Sequence, residues 1–187
     1  MGDILWENEI TDRDEINSRY MFHRAKKNKV RGILANGFKP KNASKDEKKD
    51  ERFLKKVAEV EGARLPVDRT VSSFFYPHYS QVDGSFGGHL GTALVVVDSS
   101  KVSVPMYVAD MDLYDSVISY SPLEDKEIQL GTFDNEQTVV ALAYLETVQS
   151  IERVTDTTGG SLVQPEVIVE GIVNNSSIVG VVLDGFD

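Results

Sequence analysis

Ala93-Leu94-Val95-Val96-Val97 is an unbroken apolar run of mostly β-branched residues, the pattern of a strand buried on both faces. Upstream, Val71 to Tyr76 is strand-like and Pro77 stops it. Before it, Ser44 followed three residues later by Glu47 predicts a capping box opening a helix to Glu61. Phe53, Leu54, Val57 and Val60 would form its apolar stripe, and Gly62 would end it. Earlier still, Arg19 to His23 reads as a short strand. Ala25 to Asn36 reads as a helix with Val30, Ile33 and Leu34 on one face and Gly37 as its C-terminal cap. Downstream of the central run, Met106 to Ala109 is a short strand, and Asp110 would cap a helix through Ile118. Asp134 followed by Gln137 opens another helix, with Val140, Leu142, Tyr144, Leu145 and Val148 apolar. After a polar loop from Thr155 to Gly160, Val163–Val169 and Ile178–Leu183 read as strands joined through Asn174-Asn175. Helices cluster early and strands late, so the class is α+β in one domain spanning residues 1–187.

The chain has 187 residues, enough for one core. Having no cysteine excludes disulfides, thiolate zinc sites and cysteine nucleophiles, and fits a reducing compartment; cytoplasmic is the default expectation. No apolar run approaches the roughly 20 residues of a membrane span. The opening MGDILWENEI resembles neither a signal peptide nor a myristoylation signal, so no membrane partner is expected. The formal charge is −10, which argues against indiscriminate affinity for nucleic acid. It is unevenly spread. Of the 20 Lys and Arg, 17 fall between Arg13 and Arg69, leaving residues 1–69 at about +4 and the remainder at about −14. Such asymmetry marks an anion-binding face, or, over Lys45 to Lys56, simply a solvated helix surface.

Several common sites are poorly supported. Gly84-Ser-Phe-Gly-Gly-His-Leu-Gly91 is followed by a strand, whereas a phosphate loop leads into a helix; it reads as a connection. Asp110-Met-Asp112 offers too few carboxylates for a convincing divalent-cation site, and helix capping explains Asp110. His23, His78 and His89 lack the spacing of a zinc hydrolase, so no metal is assigned. No Gly-x-Ser-x-Gly elbow occurs.

Three separated blocks are more specific. The first is Tyr20-Met-Phe-His23-Arg24, leading into Arg31-Gly-Ile-Leu-Ala-Asn-Gly37-Phe-Lys-Pro40. The second is Val71-Ser72-Ser73-Phe74-Phe75-Tyr76-Pro77-His78, and the third is Gln164-Pro-Glu166-Val-Ile-Val169-Glu-Gly171 through Ile178. Together they resemble the ADP-ribosyltransferase superfamily, most closely its DNA-modifying and RNA 2′-phosphotransferase branches, over about half the chain. Members open with a His or Arg strand and a helix, continue with a strand rich in Ser, Phe and Tyr, and end with a strand carrying the catalytic Glu. The resemblance implies split mixed β-sheets with flanking helices and NAD as substrate. Its implied roles are Glu166 as catalytic carboxylate, Gln164 as the residue orienting the acceptor, and His23, Arg24, Ser72, Tyr76 and Tyr79 as NAD contacts. Here Pro165 departs from an uninterrupted strand and suggests an edge position. There is no full Ser-Thr-Ser, and strand alternation sends adjacent His23 and Arg24 to opposite faces without saying which meets the cleft.

The residues also suit that chemistry on their own. Cleaving the nicotinamide–ribose bond builds positive charge on the sugar, and one fixed carboxylate offsets it by on the order of 3 kcal/mol. Tyr76 or Tyr79 would stack on nicotinamide, and the basic first third would meet phosphates. Taken singly, each has an ordinary reading: a solvent-facing Glu, a structural His, a Phe-Phe-Tyr in the core. The leading expectation is transfer of ADP-ribose to a macromolecule, protein or nucleic acid, or to water. The alternatives are a noncatalytic interaction module on the same kind of scaffold and a divalent-metal-dependent transferase using Asp110 and Asp112.

Overall fold

The computed structural model describes residues 17–40, 42–82, 93–120, 128, 135–157 and 162–183. The Gly84–Gly91 stretch, His89, Asp134 and the end of the Thr155–Gly160 loop lie outside them. In chain order the elements are β1 (Tyr20–Ala25), α1 (Lys27–Asn36), α2 (Lys45–Glu61), β2 (Ser72–Phe75), β3 (Ala93–Asp98) and β4 (Met106–Asp110). They continue with α3 (Met111–Tyr120), α4 (Asn135–Thr147), β5 (Gln149–Ile151), β6 (Pro165–Glu170) and β7 (Ile178–Leu183). The fold is α+β, with two sheets ordered β1-β3-β7 and β2-β6-β4-β5 and helices flanking them. Every pairing between these strands is antiparallel, where the resemblance implied mixed sheets.

Burial explains the layering. All of β3 is buried, as its apolar run requires, because it is the middle strand of its sheet with both faces covered. Val95 and Val97 pack with Val167 and Val169 of β6, Met106 and Val108 of β4, and Met21 of β1, forming the core between the sheets. The opposite face of the larger sheet, represented by Ile168, packs on Phe53, Leu54 and Val57 of α2, Tyr114 and Val117 of α3, and Tyr144 and Leu145 of α4. The α2 capping box forms as expected: Glu47 N–H donates to Ser44 Oγ at 3.1 Å, and Ser44 N–H to Glu47 Oε2 at 2.7 Å. Gly62 closes α2 in the left-handed region, φ 68°.

Four details differ from the sequence reading. Leu34 and Val60, expected on buried stripes, are exposed because each sits at the rim of its helix's apolar arc. The short strand β5 was not expected; it adds to the outer edge of β4. β6 is an interior strand rather than an edge strand, lying between β2 and β4. Pro165 is tolerated there because it is the first residue, where its missing N–H interrupts no ladder inside the strand. Finally, β6 and β7 are consecutive yet belong to different sheets, the chain crossing over through Asn174-Asn175.

Two contacts bring the N-terminal strand to the larger sheet. Phe22 and Tyr76 exchange backbone hydrogen bonds of 2.9 and 2.8 Å, stitching β1 to the end of β2. Phe38 and Val173 do the same at 2.9 and 3.0 Å, tying the exit of α1 to the segment after β6. Gly37, φ 73°, makes the second contact attainable: a Cβ there would run into Val173 O.

Candidate functional site

The Phe22–Tyr76 stitch makes a seam between the sheets, and a cavity of about 190 Å³ opens along it, lined by His23, Arg24, Phe74, Phe75, Tyr76 and Glu166. A second cavity of about 470 Å³ shares His23, Arg24 and Phe74. It extends past Ser72 and Gly37 to Lys26, Lys29 and Lys39. Four cationic residues, Arg24 among them, therefore border it, and no acidic residue does among the described residues.

Strand alternation turns the two adjacent candidates of β1 to opposite sides, although both border the two cavities. Met21, His23 and Ala25 turn toward the inter-sheet core, Phe22 and Arg24 the other way. His23 lies edge-on to Phe38, with centroids 4.8 Å apart, and 5.7 Å from Phe75. Its Nδ1 is 2.8 Å from the Phe74 carbonyl oxygen. A carbonyl only accepts, so Nδ1 carries the hydrogen and Nε2 remains an acceptor. Burial lowers the pKa of His23, the hydrogen bond to Phe74 opposing it in part. Arg24 is buried, and its Nε and Nη2 both donate to Val82 O, the former at 3.0 Å.

On the other wall, Glu166 stands opposite Ala109 in the β4–β6 register, on the helix-facing side of the sheet with Ile168. It is 7% exposed, which removes the ordinary reading of a solvated strand residue. Its Oε2 lies 2.8 Å from Arg69 Nη1, yet no donor is aligned with that oxygen in hydrogen-bond geometry. The contact is one of charge. Arg69 precedes β2 and lies over the Tyr114 ring at 3.7 Å and the Phe74 ring at 4.4 Å. It also donates to Tyr144 Oη at 3.2 Å. Burial works against the charge of Arg69, but Glu166 and then Tyr144 and Tyr114 outweigh it, so its pKa is raised. Tyr144 is pushed up to about 12, chiefly by burial, with Arg69 opposing. Tyr76 is raised by burial, then by Glu166 and Asp115, which keeps its phenol neutral.

Of the other expected site residues, Ser72 lines the larger cavity, and its Oγ donates to Asp68 O at 2.7 Å. Tyr79 packs edge-on against Phe22, with centroids 5.7 Å apart, in the cluster that also holds Tyr76, and it is not among the described residues lining either cavity. Gln164 lies before β6, where its carbonyl accepts from Met111 N–H at 2.9 Å; it is not among the described residues lining either cavity. Asp110 is fully engaged as a structural acceptor, Oδ1 taking Asp112 N–H at 3.0 Å and Oδ2 taking Val163 N–H at 2.7 Å. Among the described residues no group of three or more His, Asp or Glu is arranged to hold a metal ion.

Sequence reasoning missed Arg69, Tyr114 and Tyr144, and it took the acids of α2 as solvated. Asp50 and Glu51 are instead buried, Glu51 accepting from Arg69 N–H at 3.3 Å. No local signal marks this group, because its members come from three helices and a loop. The lysines of the larger cavity did have a signal, the basic bias of the first third. The amino-acid sequence matches no family model, and no curated protein or solved structure is significantly similar to it.

Proposed function

We propose that the chain is an ADP-ribosyltransferase-like enzyme that binds NAD across the two cavities, which share His23, Arg24 and Phe74, and cleaves its nicotinamide–ribose bond. One observation carries the reading: His23, Arg24 and Tyr76 from the opening half and Glu166 from β6 line a single cavity. Size agrees with this division. Ligand pockets run to about 300–1,000 Å³, a range the larger cavity reaches alone and the smaller one fits as a subsite. The pyrophosphate is the part of NAD suited to Lys26 and Lys29 at the start of α1, whose first turn carries no acid, and to Lys39 beyond its exit. Nicotinamide and its ribose then fall to the smaller cavity, with Phe74 and Tyr76 as ring surfaces and Glu166 near the sugar.

In the reaction the C1′–N bond breaks and its electron pair stays with nicotinamide, which leaves neutral. The positive charge moves to the ribose, where the Glu166 carboxylate opposes it in a site with little water. An acceptor hydroxyl or amine, or water, adds to C1′ and releases its proton to solvent. A second reading has a specific observation behind it. Arg69 already neutralises Glu166, as in a cleft that binds a nucleotide or a macromolecule without turning it over.

Two measurements separate these. Nicotinamide release from NAD by the wild type should fall by roughly 100-fold or more in Glu166→Gln. Calorimetric NAD affinity should weaken in Lys29→Gln and Lys39→Gln. Equal, background-level release by wild type and Glu166→Gln removes the enzyme; retained, lysine-dependent NAD binding in that case supports the binding cleft.

A further inference from the structure

We infer that Arg69 is the positioning residue for Glu166, fixing where its carboxylate stands, with Oε2 against the guanidinium and Oε1 left to the sugar. The inference rests on the NAD reading above and adds to it a residue that neither the resemblance nor the charge pattern singled out. A carboxylate as buried as Glu166 is tolerated in charged form only beside a counter-charge, and the nearest is Arg69 Nη1 at 2.8 Å. Arg69 is itself held from several directions. The Tyr114 and Phe74 rings lie 3.7 and 4.4 Å from its guanidinium carbon, and Tyr144 Oη accepts at 3.2 Å. Its backbone N–H meets Glu51 Oε2 at 3.3 Å. A side chain 9% exposed and held by two rings, a phenol and a backbone contact acts as a support, although it also borders a cavity of about 200 Å³ with Asp50, Thr70 and Ile118. The unaligned Oε2 is consistent with this: attraction sets where the carboxylate stands without consuming it as a hydrogen-bond acceptor. Phe74 completes the link, since the residue whose ring carries Arg69 also borders both cavities.

The test is steady-state nicotinamide release by the full chain carrying Arg69→Gln or Arg69→Lys, with folded enzyme quantified by circular dichroism. For Arg69→Gln, kcat per folded molecule should drop on the order of 100-fold, the scale of a misplaced reacting group. KM for NAD should stay within about threefold, because the phosphate contacts of the larger cavity are untouched. Arg69→Lys restores charge without the planar fork and should recover part of the loss, remaining roughly tenfold below wild type. A purely structural role would reduce the folded fraction and leave kcat per folded molecule unchanged; that result overturns the inference. So does a KM increase with kcat preserved, which would make Arg69 a ligand contact. If Arg69→Gln does not fold, Arg69→Lys decides alone: wild-type kcat refutes positioning. A wild type that releases no nicotinamide overturns the NAD reading and this inference with it, whereas an active wild type with an equally active Arg69→Gln overturns only this one.

Discussion

Replacing Gly37 by Ala tests whether the α1 exit is a structural hinge of the site. Gly37 has φ 73° and ψ −169°, a region that residues with a Cβ hardly occupy, costing on the order of 1–3 kcal/mol. The new methyl group would collide with Val173 O and lie 2.9 Å from Asn175 N, both backbone atoms with little room to yield. Moving them breaks the Phe38–Val173 pair of hydrogen bonds, worth about 1 kcal/mol each. The sum is about 3–5 kcal/mol, a large part of the 5–15 kcal/mol that holds a typical domain. For a chain of this size that is a fall in Tm of roughly 6–20 °C. Gly62 provides the control: its φ is 68°, but nothing lies within 4 Å of an added Cβ, so Gly62→Ala should cost only about 1 kcal/mol. Urea unfolding of both variants measures the difference. A loss for Gly37→Ala no larger than for Gly62→Ala would refute the reasoning. The consequence reaches the site, because Phe38 rests against His23 and Gly37 itself lines the larger cavity.

Buried polar groups supply two further predictions. Asp110→Ala should cost about 2–4 kcal/mol in urea unfolding, since it strands Asp112 N–H and Val163 N–H. Magnesium or calcium should leave the wild-type Tm unchanged, and a metal-dependent rise that vanishes in Asp110→Ala would return the metal-transferase reading. His23 makes stability pH-dependent. Its folded pKa lies below the ordinary 6.5, so the unfolded chain binds its proton first as pH falls. The stability contribution of neutral His23 is thus whole above about pH 6.5 and is lost below it, by at most about 1.4 kcal/mol per pH unit. His78, also lowered by burial, adds in the same direction, while Glu51, raised by burial, works in the opposite one. The measurement is therefore comparative: ΔG of unfolding from pH 8 to 5 should fall less steeply in His23→Phe than in wild type, and identical slopes would refute it.

The features legible in the sequence were those decided within a few residues. Ser44 and Glu47 find each other across one turn, Gly62 ends its own helix, and the Ala93–Val97 run needs no partner to declare itself buried. Leu34 and Val60 misled because helical periodicity gives the direction of an apolar stripe but not its width, which depends on what packs against it. β5 escaped because Gln149 and Ser150 are exposed and only Ile151 is buried, leaving no alternation to read. The blocks of the resemblance brought His23, Arg24, Tyr76 and Glu166 to attention. Arg69 lay beyond reach, since its partners Tyr114 and Tyr144 stand far along the chain on α3 and α4.

Whether Glu166 meets Arg69 at all depends on strand register, the one quantity the local pattern of β6 leaves open. Val167, Ile168 and Val169 are all buried, so apolar content alone does not say which face is which. A slip of one residue would turn Glu166 toward the core between the sheets, among Val95, Val97 and Phe75, and away from Arg69. The unpaired charge there would cost several kcal/mol, more than the burial of one further valine side chain could offset. The Arg69–Glu166 pair thus penalises the slipped register and helps to choose the pairing of the sheet.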